Sequence, residues 1–274
     1  MWRRPYLTRL LNLRHVQFCV EHLGPRPARI LDVGCGPGFM SLELARHGYH
    51  VTALDVSAEA LELGRTLARE NPFTEDWGSL EYVREDFLSW DGGGTTFDGI
   101  TFFGALHHFP DPAAALDHAL TLLRPGGVLI AREPARDWWT EVDATLMAWL
   151  RTMLSAADAW YEEIDLPQDA GDVARLAATT ISEIREARVA GEEVQSPRDN
   201  SAYGTEMLAA LRQRFDETGY AHETLLFDRM GGGLRLRDEA RAERLAVALQ
   251  AFELRALEIG LLHPGGFIFA GRTR

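Results

Sequence analysis

Short apolar, β-branched or aromatic runs recur through the first half of the chain at Arg29–Val33, His50–Leu54, Leu80–Arg84, Phe97–Phe102 and Val128–Arg132. Between them, Phe39–Arg46, Ala58–Glu70 and Ala113–Leu123 carry apolar residues at helical spacing. The glycine run Gly92–Gly94 and the Pro125-Gly126-Gly127 turn punctuate the pattern as loops. Strand alternating with helix predicts a parallel sheet covered by helices on both faces.

After Glu133-Pro134 the pattern changes to a long helical stretch in which Val142, Leu146, Trp149, Met153 and Trp160 recur at helical intervals. A second helix is expected from Gly171 to about Ala187, then a polar, turn-rich segment over Glu192–Tyr203 and a helix to Thr218. A strand near Glu223–Asp228, an amphipathic helix over Asp238–Leu262 and a closing strand at Gly266–Arg272 complete the chain, with no internal repeat or low-complexity tract. The expected organisation is an N-terminal helical segment over 1–28, an α/β core over 29–134, a helical lid insertion over 135–200, and the rest of the α/β core with an inserted helix over 201–274.

Composition narrows the partners. With 28 basic and 41 acidic side chains, the formal charge of −13 makes a phosphate backbone or an anionic bilayer a poor match, so neither nucleic acid nor membrane is expected as a partner. Every basic residue is arginine, which excludes Schiff-base chemistry and a lysine-dependent phosphate loop on this chain. Two cysteines, Cys19 and Cys35, cannot build a disulfide framework, and there is neither an apolar leader nor a run long enough to span a bilayer. A cytoplasmic location is the expectation; oligomeric state is not legible.

The sharpest signal is Ile30-Leu31-Asp32-Val33-Gly34-Cys35-Gly36-Pro37-Gly38, an apolar strand feeding a glycine turn that opens a helix. Glycines there let the backbone pass close under a ligand. Dinucleotide sites use G-x-G-x-x-G and offer free N–H groups to a pyrophosphate. Here the spacing is G-x-G-x-G, and Pro37 removes a donor. Asp55 ends the second strand, where a carboxylate can accept two ribose hydroxyls. The third strand ends in Glu85-Asp86-Phe87, an acid placed to take an adenine amino group beside a ring that could cover the base.

These residues resemble class I S-adenosylmethionine-dependent methyltransferases over Ile30 to Arg132 and, more loosely, at the terminal strands. The resemblance implies a doubly wound, mostly parallel seven-stranded sheet, the Rossmann-like methyltransferase fold, with Gly266–Arg272 antiparallel. It further implies that Gly34, Gly36 and Gly38 wrap the methionine part of S-adenosylmethionine, with Asp32 orienting the loop and approaching the ammonium group. Asp55 then holds the ribose, Asp86 and Phe87 the adenine, and Phe103 lines the sulfonium side, though plain core packing suits Phe103 equally. The Leu106-His107-His108-Phe109 and Leu123-Arg124-Pro125-Gly126-Gly127 stretches also match.

On the acceptor side, His107 and His108 follow strand four and Glu133 ends strand five. A histidine there can remove a proton from the acceptor, or simply pack or cap a helix; Glu133 can hold or deprotonate the acceptor, or act as a surface acid. Trp138, Trp139, Trp149, Trp160 and Tyr161 either line an acceptor pocket or form core. Arg3, Arg4, Arg9 and Arg14 either meet an anionic acceptor or form a solvated face. No Asp/Asn-Pro-Pro-aromatic motif follows strand four, which disfavours DNA or amide nitrogen as acceptor, and no metal-ligand spacing occurs. The implied activity is methyl transfer to a small organic acceptor through oxygen, nitrogen or activated carbon. An NAD-dependent oxidoreductase and a non-catalytic S-adenosylmethionine-binding module stand as alternatives.

Overall fold

A computed structural model describes residues 5–73, 75–185, 188–189, 192–193, 203–224 and 226–274. In chain order the elements are α1 (Pro5–His22), β1 (Arg29–Val33), α2 (Phe39–Arg46), β2 (His50–Asp55), α3 (Ala58–Arg69), β3 (Ser79–Arg84), β4 (Phe97–Phe103), α4 (Pro112–Leu122) and β5 (Leu123–Pro134). There follow α5 (Glu141–Ala156), α6 (Ala170–Arg185), a two-stranded antiparallel ribbon of β6 (Arg188–Val189) and β7 (Glu192–Glu193), and α7 (Gly204–Arg214). The chain closes with β8 (Phe215–Glu223), α8 (Leu226–Met230), α9 (Glu239–Glu258) and β9 (Gly266–Thr273).

Seven strands form one sheet in the order β3-β2-β1-β4-β5-β9-β8. The pairs β1/β2, β2/β3, β1/β4 and β4/β5 are parallel. Strand β9 runs the other way: Ala135, just past the end of β5, donates to Gly265 just before β9, while Gly126 near the start of β5 donates to Thr273 at the end of β9. This is the doubly wound α/β architecture expected from the alternation of strands and helices, and it is mostly parallel. Central strands buried on both faces carry nearly unbroken apolar runs, as in β1 and β4, whereas the edge strand β3 is half-exposed. The order reverses between β1 and β4, which creates a crevice beyond their carboxyl ends.

The chain divides into two compact units. One, the α/β unit, comprises His15–Pro134, Arg198–Ala221 and Phe267–Arg274, with a core that includes Cys19, Leu23, Ile30, Leu44, Tyr49, Val128 and Ile268. The other, the helical unit, comprises Met1–Arg14, Ala135–Pro197 and His222–Gly266, around Leu7, Leu11, Trp139, Met147, Trp160, Phe227 and Leu234.

Three expectations from periodicity are corrected. On α5 the stripe Val142, Trp149 and Met153 faces solvent, and Ala144, Met147, Ala148 and Leu154 are the buried positions. Two apolar stripes compete on this helix, and the one rich in alanine allows the closer approach. The strand expected at Glu223–Asp228 comes earlier, as β8, and Leu226–Met230 is a helical turn. Its first amides, Leu226 N and Phe227 N, each donate at 2.7 Å to the buried carboxylate of Glu253 on α9, a helix-start anion no local pattern announces. Helix α7 stops at Arg214, short of Thr218, because the chain turns directly into β8. Most of the turn-rich segment 192–203 lies outside the described residues. Among the described residues, no helix is long and apolar enough to cross a membrane.

Candidate active site

The glycine loop leaves β1 and enters α2 with φ of +65° at Gly34, +53° at Gly36 and +74° at Gly38, a left-handed conformation that side chains resist. A Cβ on Gly34 would lie 2.7 Å from that of Ala105, whereas one on Gly36 would meet nothing within 4 Å. Gly36 therefore presents bare backbone to open space. The loop's amides face inward: Cys35 N donates to Leu54 O at 3.1 Å, Gly36 N to Asp55 Oδ2 at 2.7 Å and Gly38 N to Cys35 O at 2.8 Å, while Pro37 has no N–H. A pyrophosphate would meet the Cys35, Gly36 and Gly38 amides already engaged, a proline without one, and a carboxylate beside them. The cradle fits a ligand without phosphates.

Asp32 is buried beneath this loop, with Oδ1 accepting from Thr101 Oγ1 at 2.8 Å and Oδ2 from Ser41 Oγ. Burial pushes its carboxyl up to about 6, against the lowering effect of the two hydroxyl donors. The neighbouring Cys35 thiol is raised by burial and by Asp32 and Asp55, which keeps it neutral. Asp55 is half-buried at the end of β2; Oδ1 accepts from Ser57 N at 2.8 Å and Oδ2 from Gly36 N, and each oxygen retains accepting capacity for a diol. Asp86 is exposed just past β3, its Oδ1 engaged by Leu88 N at 3.0 Å. Phe87 differs from the expectation of an open ring over a base: it is 3% exposed and packs edge-on to Phe102, Phe109 and His118. Its visible part is to anchor the turn that carries Asp86. Phe103 ends β4 half-buried, 6.3 Å from the His15 ring.

Glu133, at the end of β5, is fully buried and accepts four hydrogen bonds. Oε1 takes Ala105 N at 3.0 Å and Leu106 N at 2.7 Å, and Oε2 takes His107 N at 3.4 Å and His107 Nδ1 at 2.7 Å. The carboxylate thus ties the loop after β4 to β5 and is saturated by protein donors. Because a carboxylate oxygen only accepts, Nδ1 is the nitrogen of His107 that donates to Glu133, and Nε2 is the ring nitrogen not used in that bond. His107 is buried; the exposed His108 lies against it with ring centroids 4.1 Å apart.

Residues 3–223 match the methyltransferase domain family. The chain belongs to the class I S-adenosylmethionine-dependent methyltransferases. Two ubiquinone biosynthesis O-methyltransferases are among its relatives. That of Xanthomonas axonopodis pv. citri is 37% identical over 119 residues, 43% of this chain and 48% of that protein. That of Xylella fastidiosa is 36% identical over 146 residues, 53% of this chain and 54% of that protein. The chain thus spans about half the length of these relatives. Among solved structures, a SAM-dependent methyltransferase of Methanosarcina mazei covers 93% of this chain and 96% of its own at 20% identity, with a TM-score of 0.55. The (4+2)-cyclase SpnF covers 95% and 80% at 19% identity, with a TM-score of 0.52. At such identities the two show the fold alone.

Family membership removes the nicotinamide alternative, in agreement with the committed loop amides. In this chain the sequence-expected cofactor residues Asp32, Gly34, Gly36, Asp55 and Asp86 all sit at the carboxyl ends of β1, β2 and β3 or just past them. Sequence reasoning missed Ser41 and Thr101, which orient Asp32; the available signal was a lone hydroxyl inside the apolar run Ile100-Thr101-Phe102. The aromatic series divides: Trp139 and Trp160 are core, Trp149 and Tyr161 are exposed, and Trp138 packs edge-on to His222. Arg9 pairs with Glu243 and Arg14 with Glu223 within the helical unit, and Arg3 and Arg4 lie outside the described residues. Among the described residues no group of three or more His, Cys, Asp or Glu could hold a metal ion.

Proposed function

We propose that this protein transfers a methyl group from S-adenosylmethionine to a hydroxyl of a small organic acceptor, with His107 as the general base. When bound, S-adenosylmethionine supplies an electrophilic methyl on a sulfonium, whose departure as a thioether needs no acid. The chain's own task is to hold, align and exclude water, for which positioning supplies a large part of the rate. Gly34, Gly36 and Gly38 take the methionine part, Asp32 faces its ammonium group, Asp55 accepts from the ribose hydroxyls, Asp86 accepts from the adenine amino group, and Phe103 borders the sulfur. His107 Nε2 receives the acceptor's proton. Glu133 acts through His107 as a positioning residue that fixes the tautomer, and His108 borders the same ring.

The observation that carries this reading is the join of a phosphate-averse glycine loop with a carboxylate-held imidazole on the adjoining strand ends. The relatives named O-methyltransferases support oxygen as the acceptor atom. The acidic charge, with arginine as the sole basic residue, supports a small molecule over nucleic acid, and two unpaired cysteines support the cytoplasm. Calorimetric titration with S-adenosylhomocysteine tests the cofactor half: binding is expected, and Asp55→Ala, which also unties Gly36, weakens it about a hundredfold. Transfer of isotopically labelled methyl into a fractionated cell extract, with the product identified by mass, tests the other half. A labelled carbon or nitrogen would sink the hydroxyl assignment.

A further inference from the structure

Tyr82 lies on β3 directly across from Ala53, which is itself paired with Asp32 on β1. Residues paired across strands share one face of a sheet, so the ring leans over a single methyl group towards the glycine loop. Two glycines make room for it. A Cβ on Gly38 would lie 2.8 Å from Tyr82 Cε1, and one on Gly64 would lie 2.6 Å from the same atom and 2.7 Å from the Pro37 carbonyl oxygen.

The Gly64 position is the informative one. Gly38 adopts a left-handed φ that already calls for glycine, whereas Gly64 is buried inside α3 with no such φ. A glycine within a helix is destabilising relative to alanine, and the backbone gives no reason for one here. What does require it is the space occupied by the Tyr82 ring and the Pro37 carbonyl. Arg65, the next residue of α3, holds the same tyrosine, with Nη2 donating to Tyr82 O at 3.1 Å and the guanidinium 5.9 Å from the ring centroid. The hydroxyl is buried with no hydrogen-bond partner among the described residues, so the ring, not the hydroxyl, has a fitted environment.

We propose that Tyr82 is a positioning residue for the cofactor: its ring, lodged between Gly38 and Gly64, holds the Gly34–Gly38 loop in the shape that receives S-adenosylmethionine. This rests on the assignment of that loop to the cofactor. Sites of this kind depend on supporting side chains that fix the contacting backbone to a fraction of an ångström.

The test combines S-adenosylhomocysteine affinity by calorimetry with amide hydrogen exchange at Gly36 and Gly38 in protein without ligand. Tyr82→Leu is expected to weaken affinity about tenfold or more and to speed exchange at both glycines, with Ile100 and Leu129 in the central strands unchanged. Tyr82→Phe keeps the ring and is expected to match the unaltered protein in both readouts. Gly64→Ala supplies a second route in case Tyr82→Leu folds poorly. Helix propensity alone would make it harmless, whereas the strut requires weaker binding and faster loop exchange. The proposal is overturned if Tyr82→Leu and Gly64→Ala both behave as the unaltered protein, or if Tyr82→Phe loses as much affinity as Tyr82→Leu. Should the unaltered protein fail to bind S-adenosylhomocysteine, the cofactor assignment falls and takes the positioning role with it. Unchanged exchange in a protein that binds normally defeats the strut and leaves the cofactor assignment standing.

Discussion

Each unit of this chain contains a buried carboxylate that grips a histidine through Nδ1. In the α/β unit it is Glu133 with His107; in the helical unit it is Asp143, which accepts from His263 N at 2.9 Å and His263 Nδ1 at 3.0 Å. The remaining partners differ. Glu133 gathers the amides of a loop beyond β4, at the strand ends where the family binds its cofactor. Asp143 is the third residue of α5 and accepts from Thr140 N and Oγ1 at 2.8 Å, so it caps a helix and clips that cap to the chain entering β9. The His263 side chain is 48% exposed against 8% for His107. The same pair of groups thus sits at the strand ends in one region, where His107 is the proposed base, and fastens a helix cap in the other, and place in the fold separates the two.

The strongest way to break this contrast is turnover. His107→Ala is expected to lower kcat about a hundredfold or more while S-adenosylhomocysteine still binds, and His263→Ala to leave kcat within about twofold. Equal losses would dissolve the distinction.

Next in size is Asp32, whose carboxyl is raised from an ordinary 3.8 to about 6 by burial. Its folded state holds the proton more tightly than the unfolded chain does, so stability is lost as pH rises through that interval. Asp32→Asn cannot ionise. Relative to the parent, its unfolding free energy in denaturant should rise by about 3 kcal/mol between about pH 4 and pH 7, while its affinity for S-adenosylhomocysteine is expected to fall, because the ammonium group would lose the carboxylate proposed to face it. A pH-independent difference would show that Asp32 is not held in a disfavoured charged state.

For the helical fastening, Asp143→Asn should cost about 1–2 kcal/mol in thermal unfolding, the usual value of a helix cap, without altering cofactor affinity. The smallest effect is expected at Trp149, which is 59% exposed on the outer stripe of α5. Trp149→Ala should shift stability by less than about 0.5 kcal/mol, and a loss typical of a core tryptophan would mean that the apolar stripe read from periodicity is the buried one after all.

How much of this was legible beforehand follows from how local each signal is. Gly34 to Gly38 announce themselves because the turn's conformation is written in five adjacent residues, and Asp55 and Asp86 follow once the strands are placed. The strands are legible because β1 and β4 are buried on both faces. The Asp32–Thr101 and Glu133–His107 contacts are different, since they depend on β1/β4 register and on which loop returns to which strand end. No spacing in the chain encodes them. Phe87 was visible as an aromatic ring after an acid, but its enclosure by Phe102, Phe109 and His118 comes from three separate elements. On α5, period alone could not choose between two stripes of similar hydrophobicity.

Helix α1 is unbroken from Pro5 to His22, yet its residues up to Arg14 belong to the helical unit and those from His15 to the α/β unit. Leu7 and Leu11 are buried with Phe227, Leu234, Ala242 and Ala246, more than two hundred positions further along. Contacts of such sequence separation close a long loop, so the shielding of Leu7 and Leu11 costs more chain entropy than the meeting of Ile30, Leu44, Val51 and Val128, which lie far nearer one another along the chain.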